Sequence, residues 1–138
     1  QINYSLAHSS VETFGDNTLV CMDTKEFRWY KKHDFPVMAF SPQAKGFFAK
    51  LAKGDAANNL PEGQYAGPAN LARLAKVKQL SEQTGDTPAK ITLGYLNSQP
   101  FFVSSVFAVT KLWQLDEDME AQDLTYDPKT VAFLENMI

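Results

Sequence analysis

The chain has 138 residues, of which 44% are hydrophobic, 12% aromatic and 21% charged, a profile that supports one globular domain with a buried core and excludes a disordered chain. Thirteen Lys and Arg against 16 Asp and Glu leave a net charge of −3, so no basic field exists to hold a phosphate backbone and no nucleic-acid partner is expected. One cysteine, Cys21, excludes an internal disulfide framework and a multi-cysteine zinc site, and the expected setting is a reducing compartment, the cytoplasm. No apolar run approaches the ~18–20 residues of a membrane span, so no membrane partner is expected either.

The sequence opens at Gln1, directly in an alternating apolar segment, and is read as a fragment. Ile2, Tyr4 and Leu6 alternate with Asn3, Ser5 and Ala7, the period of a strand. Residues 9–20 carry Gly15, Asp16 and Asn17 without a period and are expected to be a loop. Asp23 followed by Glu26 resembles a capping box, which opens a short helix that Pro36 stops. Val37–Phe40 form an apolar run between prolines, as in a buried parallel strand, and the following QAKGFFAK begins a loop. Residues 53–69 gather Gly, Pro, Asn and Asp into a segment longer than an ordinary connection, of the kind that is often functional or mobile.

Leu71, Leu74, Val77 and Leu80 recur at threes before Gly85, predicting a helix with a left-handed C-cap. Thr87 and Pro88 supply the cap and first position of a second helix that ends before Pro100. The β-branched and aromatic FFVSSVF segment predicts a third strand. Thr110 is expected to cap a helix with Leu112, Leu115 and Met119 on one face, and Asp127 with Pro128 opens the last helix, through Val131, Leu134 and Ile138.

Strands alternating with helices predict an α/β fold with parallel pairing. Three parallel strands, expected to be apolar on both faces, leave two edges to cover, so the sheet is expected to continue in a missing part of the chain or in another subunit. A closed eight-stranded barrel takes about 250 residues, nearly twice this length.

Four pieces in order are similar to the carboxy-terminal half of the aldo-keto reductases. QINYSLAH resembles the sixth-strand segment of that family, PVMAFSPQAKGFF the seventh strand with its aromatic-Ser-Pro turn, and LSEQTGDTPAKITLGYLNSQP the seventh helical region. VFAVTKLWQLDEDMEAQDLTYDP resembles the eighth strand, the cofactor-phosphate turn and the adenine-side helix, so the likeness spans essentially the whole chain. It implies a partial (β/α)8 TIM barrel, residues 1–138 forming strands six to eight with their helices. It also implies an oxidoreductase that uses NADP(H), less often NAD(H), to reduce small aldehydes or ketones without metal. The family's catalytic Asp, Tyr, Lys and His belong to the first half of its barrel, and its DTAxxYG-like motif is absent from these residues. The fragment by itself is therefore expected not to turn over.

The resemblance implies a cofactor-binding wall. Gln1 carries an amide donor and acceptor for the nicotinamide carboxamide, and Phe40, at a strand's carboxy-terminal end, a ring to stack on the nicotinamide. Ser41, with the backbone from Gln43 to Gly46 and the charge of Lys45, is implied to meet the pyrophosphate. Thr110, Lys111 and Gln114 stand at a helix start, where N–H groups favour a phosphate, and Lys111 is implied to select the 2′-phosphate. Glu117 and Asp118 match the pair that meets adenine. The pattern departs from the family at Gln43, where Leu is commoner, at Ala108 and Val109, and at Asp118, where Asn is usual.

Each of these residues also has a plainer reading. Phe40 alone is a core residue, Lys111 and the Glu117–Asp118 pair a solvated surface, and His8, His33 and Cys21 are not catalytic. Two rivals to the reductase reading remain: a non-catalytic half-barrel that self-associates as a binding or structural module, its partner the missing amino-terminal half or a homo-oligomer copy, and an unrelated small α/β binding domain.

Overall fold

A computed structural model describes residues 1–55 and 65–135. Three parallel strands, β1 (Ile2–Asn3), β2 (Val37–Phe40) and β3 (Val103–Val106), form one sheet in the order β1-β2-β3, with Ile2 opposite Ala39 and Val37 opposite Val103. Helices α1 (Val11–Phe14) and α2 (Thr24–His33) connect β1 to β2. Between β2 and β3 run α3 (Phe47–Ala52), α4 (Pro68–Thr84) and α5 (Pro88–Asn97), and α6 (Leu112–Glu120) and α7 (Pro128–Leu134) follow β3. This is the α/β order expected.

The helix boundaries follow the capping chemistry of the sequence. Asp23 accepts from the Glu26 N–H at 2.8 Å, Thr87 from the Lys90 N–H at 3.3 Å, and Asp127 from Lys129 and Thr130 at 2.8 and 3.0 Å. Gly85 ends α4 at φ 81°, a left-handed conformation that costs glycine nothing. Among the described residues no helix is long and apolar enough to cross a membrane.

Several expectations are corrected. The alternation of residues 2–7 yields only a two-residue strand, because Tyr4, Leu6 and Ala7 reach the core from a bent segment beyond it. That segment is tied down by Asn70, which accepts from the His8 N–H at 2.7 Å and donates to the carbonyls of His8 and Tyr65 at 2.9 and 2.8 Å. Within the expected loop 9–20 lies the one-turn α1, closed by the Thr13 hydroxyl accepting from the Ser10 N–H at 3.0 Å. The segment after β2 is also helical, because a left-handed turn at Lys45 and Gly46 redirects the chain into α3, which buries Phe47, Phe48 and Leu51. The expected loop 53–69 ends earlier, at the start of α4, and residues 56–64 lie outside the described ones.

The strands are buried on one face only. Val37, Ala39, Ile2 and Val103 pack under the helices with Phe47, Val77, Ile91, Leu96 and Leu134. Met38 and Val106, on the opposite face, remain 45% and 46% exposed. One sheet edge is covered within the chain: the Asn3 N–H donates to Val20 at 2.8 Å and its carbonyl accepts from Met22 at 2.9 Å, making a parallel bridge to Cys21.

Helix α6 inverts its expected orientation. Leu112, Leu115 and Met119 are 74%, 38% and 50% exposed, and the residue of this helix that is buried is Asp118. The helix is held by polar groups instead: Asp118 meets Gln43, Glu120 pairs with Lys90 of α5, and its C-terminal continuation is strapped by Asn97, whose amide donates to the carbonyls of Ala121 and Leu124 at 2.9 and 3.1 Å.

Candidate functional site

A cleft of about 650 Å³ opens at the carboxy-terminal ends of β2 and β3, between the turn that follows β2 and the first turns of α6. Its β2 side is built from strained backbone: Ser41, Ala44 and Lys45 have φ of 51°, 48° and 56°, followed by Gly46 at 80°. Left-handed conformations cost L-residues about 1–2 kcal/mol each, and such strain gathers where a turn is held for a purpose. Here the Ala44 N–H donates to Ser41 at 2.9 Å and the Gly46 N–H to Gln43 at 2.9 Å, which folds the run from Ser41 to Gly46 into a compact loop on the rim.

Eight of the eleven expected positions line this cleft: Ser41, Gln43, Lys45, Gly46, Thr110, Gln114, Glu117 and Asp118. Gln1, Phe40 and Lys111 do not. Gln1 and Phe40 lie nearby on the open sheet face: the Gln1 amide donates to the Met38 sulfur at 3.3 Å, and Phe40 follows Met38 by two residues, the spacing that returns a strand side chain to the same face. Lys111 is an exposed residue at the N-cap of α6.

Thr110 does not cap α6. Gln114 reaches back instead, its Oε1 accepting from the N–H groups of Thr110 and Lys111 at 3.0 Å each and from the Thr110 hydroxyl at 3.3 Å. A longer side chain at the third helical position satisfies two orphan donors that a threonine hydroxyl would meet singly.

Two of the departures from the family pattern, Gln43 and Asp118, meet each other. Gln43 Nε2 donates to Asp118 Oδ1 at 2.7 Å, joining the β2 turn to α6 across the cleft. Burial pushes the Asp118 carboxyl above the ordinary carboxylate value; the Gln43 amide counters that shift, and the neighbouring Glu117 carboxylate adds to it.

Sequence reasoning missed Lys50, Lys53 and Trp113, which also line the cleft. The lysines fall in a segment expected to be loop, where their spacing of three carries no information; with Lys50 in the last turn of α3 and Lys53 at its C-cap, the same spacing places them one turn apart. The Lys53 ammonium lies over the Trp113 ring, 5.2 Å from its centroid. Trp113 stands beside the apolar stripe of α6 and gave no pattern of its own.

The residues set aside as non-catalytic have structural surroundings. His33 packs at 4.6 Å against Trp29 at the end of α2, and burial raises the half-buried Cys21 thiol above its usual value, the opposite of what activates a nucleophile. Among the described residues no group of three or more His, Cys, Asp or Glu is placed to hold a metal ion.

A solved structure of similar fold is a crystal structure of a thermostable aldo-keto reductase, Tm1743, in complex with the inhibitor epalrestat. It matches with a TM-score of 0.62 and 13% sequence identity over 100% of this chain and 39% of that one. The present chain thus corresponds to well under half of that reductase and shares the fold of part of its barrel. The sequence model that describes the aldo/keto reductase family matches residues 19–138, nearly the whole length, and on that match the chain belongs to the aldo/keto reductase family.

Proposed function

We propose that the chain is the cofactor-gripping portion of an oxidoreductase that uses NADP(H), or NAD(H), to reduce small aldehydes or ketones in the cytoplasm, with the proton-donating Tyr outside these residues. The observation that carries this reading is the convergence of two distant segments, Ser41–Gly46 and Thr110–Asp118, on one cleft at the carboxy-terminal ends of parallel strands. Ligands of barrels and open α/β sheets bind at that end.

The residues on the β2 side fit a dinucleotide phosphate: the Ser41 hydroxyl, the left-handed run to Gly46 and the lysine side chains supply donors and positive charge around one concavity. On the α6 side the Thr110 and Lys111 N–H groups already serve Gln114, so a phosphate reaches them only when that side chain swings away. A nicotinamide dinucleotide, when bound, supplies the hydride. The chain's own part is to bind and orient. Phe40 offers a flat ring on the open sheet face, and the Gln1 amide, resting on a thioether that is a weak acceptor, is ready to exchange it for a carboxamide.

Titrating the folded chain with NADPH and following the nicotinamide emission tests the reading, with NADH as comparator. Ser41→Ala and Lys45→Ala are each expected to weaken binding about tenfold, the worth of one hydrogen bond to a charged group. A sample folded by circular dichroism that leaves the emission unchanged refutes the assignment.

The open sheet face favours a second reading. Met38 and Val106 lie on it unburied, and it fits either the remainder of a barrel or a second copy of the chain. Sedimentation separates the two: a monomer at micromolar concentration refutes self-association.

A further inference from the structure

We infer that the concavity at the amino-terminal ends of β2 and β3 is a binding site for a guanidinium cation, with the carboxylates of Asp34 and Asp123 and the amide oxygens of Asn97 and Gln99 as acceptors and the Phe102 ring as a stacking face. It lies at the opposite ends of the strands from the cleft described above, so it neither draws on the cofactor reading nor falls with it.

This concavity, of about 580 Å³, is built where three helices end. Asp34 is the C-cap of α2, Asn97 is the last residue of α5 with Gln99 two positions beyond it, and Gln122 and Asp123 follow the C-cap of α6. Helix carboxy termini carry the negative end of the peptide dipoles and favour a cation. No Lys, Arg or His lines the concavity, and among the described residues neither carboxylate has a cationic partner.

The amides present the same polarity. Asn97 spends its N–H groups on the carbonyls of Ala121, Gln122 and Leu124 at 2.9, 3.3 and 3.1 Å, and the Gln99 nitrogen donates to the Tyr95 carbonyl at 2.7 Å. Gln99 is only 9% exposed, yet it lines the concavity and its Oε1 has no partner among the described residues, so a buried acceptor stands open to it. An unmet acceptor at that depth calls for a donor from outside the chain. Walls of acceptors and anions exclude a phosphate or carboxylate ligand. Among the described residues no group of three or more ligating side chains is placed to hold a metal ion. Phe102, 70% exposed, adds a π face, which a planar cation uses. A guanidinium meets several acceptors with the N–H groups of its edge while its face stacks on a ring.

Ethylguanidinium is the probe for the test, with ethylurea, its neutral counterpart, and propylammonium, a cation without the plane, as comparators. By NMR of the isotope-labelled chain, the side-chain amide signals of Asn97 and Gln99 should shift saturably with ethylguanidinium while that of Gln43 in the cleft stays still. Propylammonium should bind several-fold more weakly, and ethylurea should leave the signals unmoved. Asp34→Asn and Asp123→Asn keep the side-chain shape and should each weaken binding about two- to fivefold, the worth of an exposed ion pair, and Phe102→Leu should do so by a similar factor. Free arginine and a capped Gly-Arg-Gly peptide then separate the two sources of the group: a free small molecule is indicated if both bind alike, an arginine side chain of another protein if the peptide binds alone. Binding of neither overturns the site. So do shifts of equal size with ethylurea, propylammonium binding as tightly as ethylguanidinium, or an affinity that the Asp34→Asn/Asp123→Asn double variant leaves unchanged. None of these results bears on NADPH binding at the other end of the strands, which the same variants should leave as it is.

Discussion

Gly94 lies buried in the middle of α5, where replacement by alanine would ordinarily stabilise a helix by about 0.8–1 kcal/mol. Here the sign should reverse. A Cβ at this position would stand 2.8 Å from Tyr126 Cε2 and 2.9 and 3.0 Å from Leu124 Cγ and Cδ2, whereas carbon atoms rest at about 3.5–4.0 Å. Both neighbours belong to the strap between α6 and α7, which Ser98 also holds, donating from its hydroxyl to the Gly94 carbonyl and accepting from the Tyr126 N–H at 2.6 Å each. Overpacking of this kind costs about 1–3 kcal/mol. Set against the propensity gain, Gly94→Ala should lose about 1 kcal/mol, or about 3 °C in Tm for a chain of this length. The loss should carry to the cleft, because the strap continues from α6. Gly67→Ser is the control: this residue caps α4 in an extended conformation with nothing within 4 Å of the place a Cβ would take, so a serine should gain a few tenths of a kcal/mol. Thermal and urea unfolding by circular dichroism would compare the two. A Gly94→Ala chain as stable as the parent would show that the strap gives way freely and would refute the close-packing argument.

Asn70→Ala removes the two hydrogen bonds that pin the segment after β1 to α4 at His8, and a third to the Tyr65 carbonyl, so it should cost about 2–4 kcal/mol by urea denaturation. Asp118→Asn keeps the acceptor for Gln43 and removes a charge held in a buried place. The folded carboxyl titrates above its ordinary value, so its contribution to stability is fullest below the ordinary carboxylate range and is lost as pH rises through the raised value. The asparagine variant should therefore be the more stable at pH 7, with the gap closing toward pH 4, and urea midpoints across that range would contradict this if the parent were the more stable at pH 7. Asp127→Ala deletes the cap that meets two N–H groups of α7 and should cost about 1 kcal/mol, read as a lower urea midpoint with an unchanged slope.

The candidate site was readable to the extent that family-like segments carried it. Ser41, Gln43, Lys45 and Gly46, and with them Thr110, Gln114, Glu117 and Asp118, come to one cleft as the order of the segments implied. That Gln43 and Asp118, each odd by the family pattern, are partners could not be read from either segment alone, since their bond spans the cleft between a turn and a helix. Lys50 and Lys53 carry no signal in a segment whose local pattern gives no helix, and Trp113 lies beside the apolar stripe of α6 without belonging to it.

Local chemistry decided most of the secondary structure. A carboxylate or hydroxyl acting on N–H groups three residues away starts α2, α5 and α7, and a glycine free to turn left-handed ends α4, so these boundaries need no distant partner. Burial does need one. An apolar period marks a face without saying what covers it, and so Leu112, Leu115 and Met119 point outward while Asp118 is enclosed, and β2 alternates buried with exposed residues where a run of apolar side chains suggested two covered faces. Which face of α6 turns inward is decided by groups far along the chain, Gln43 and Lys90, and that placement also shapes the cleft.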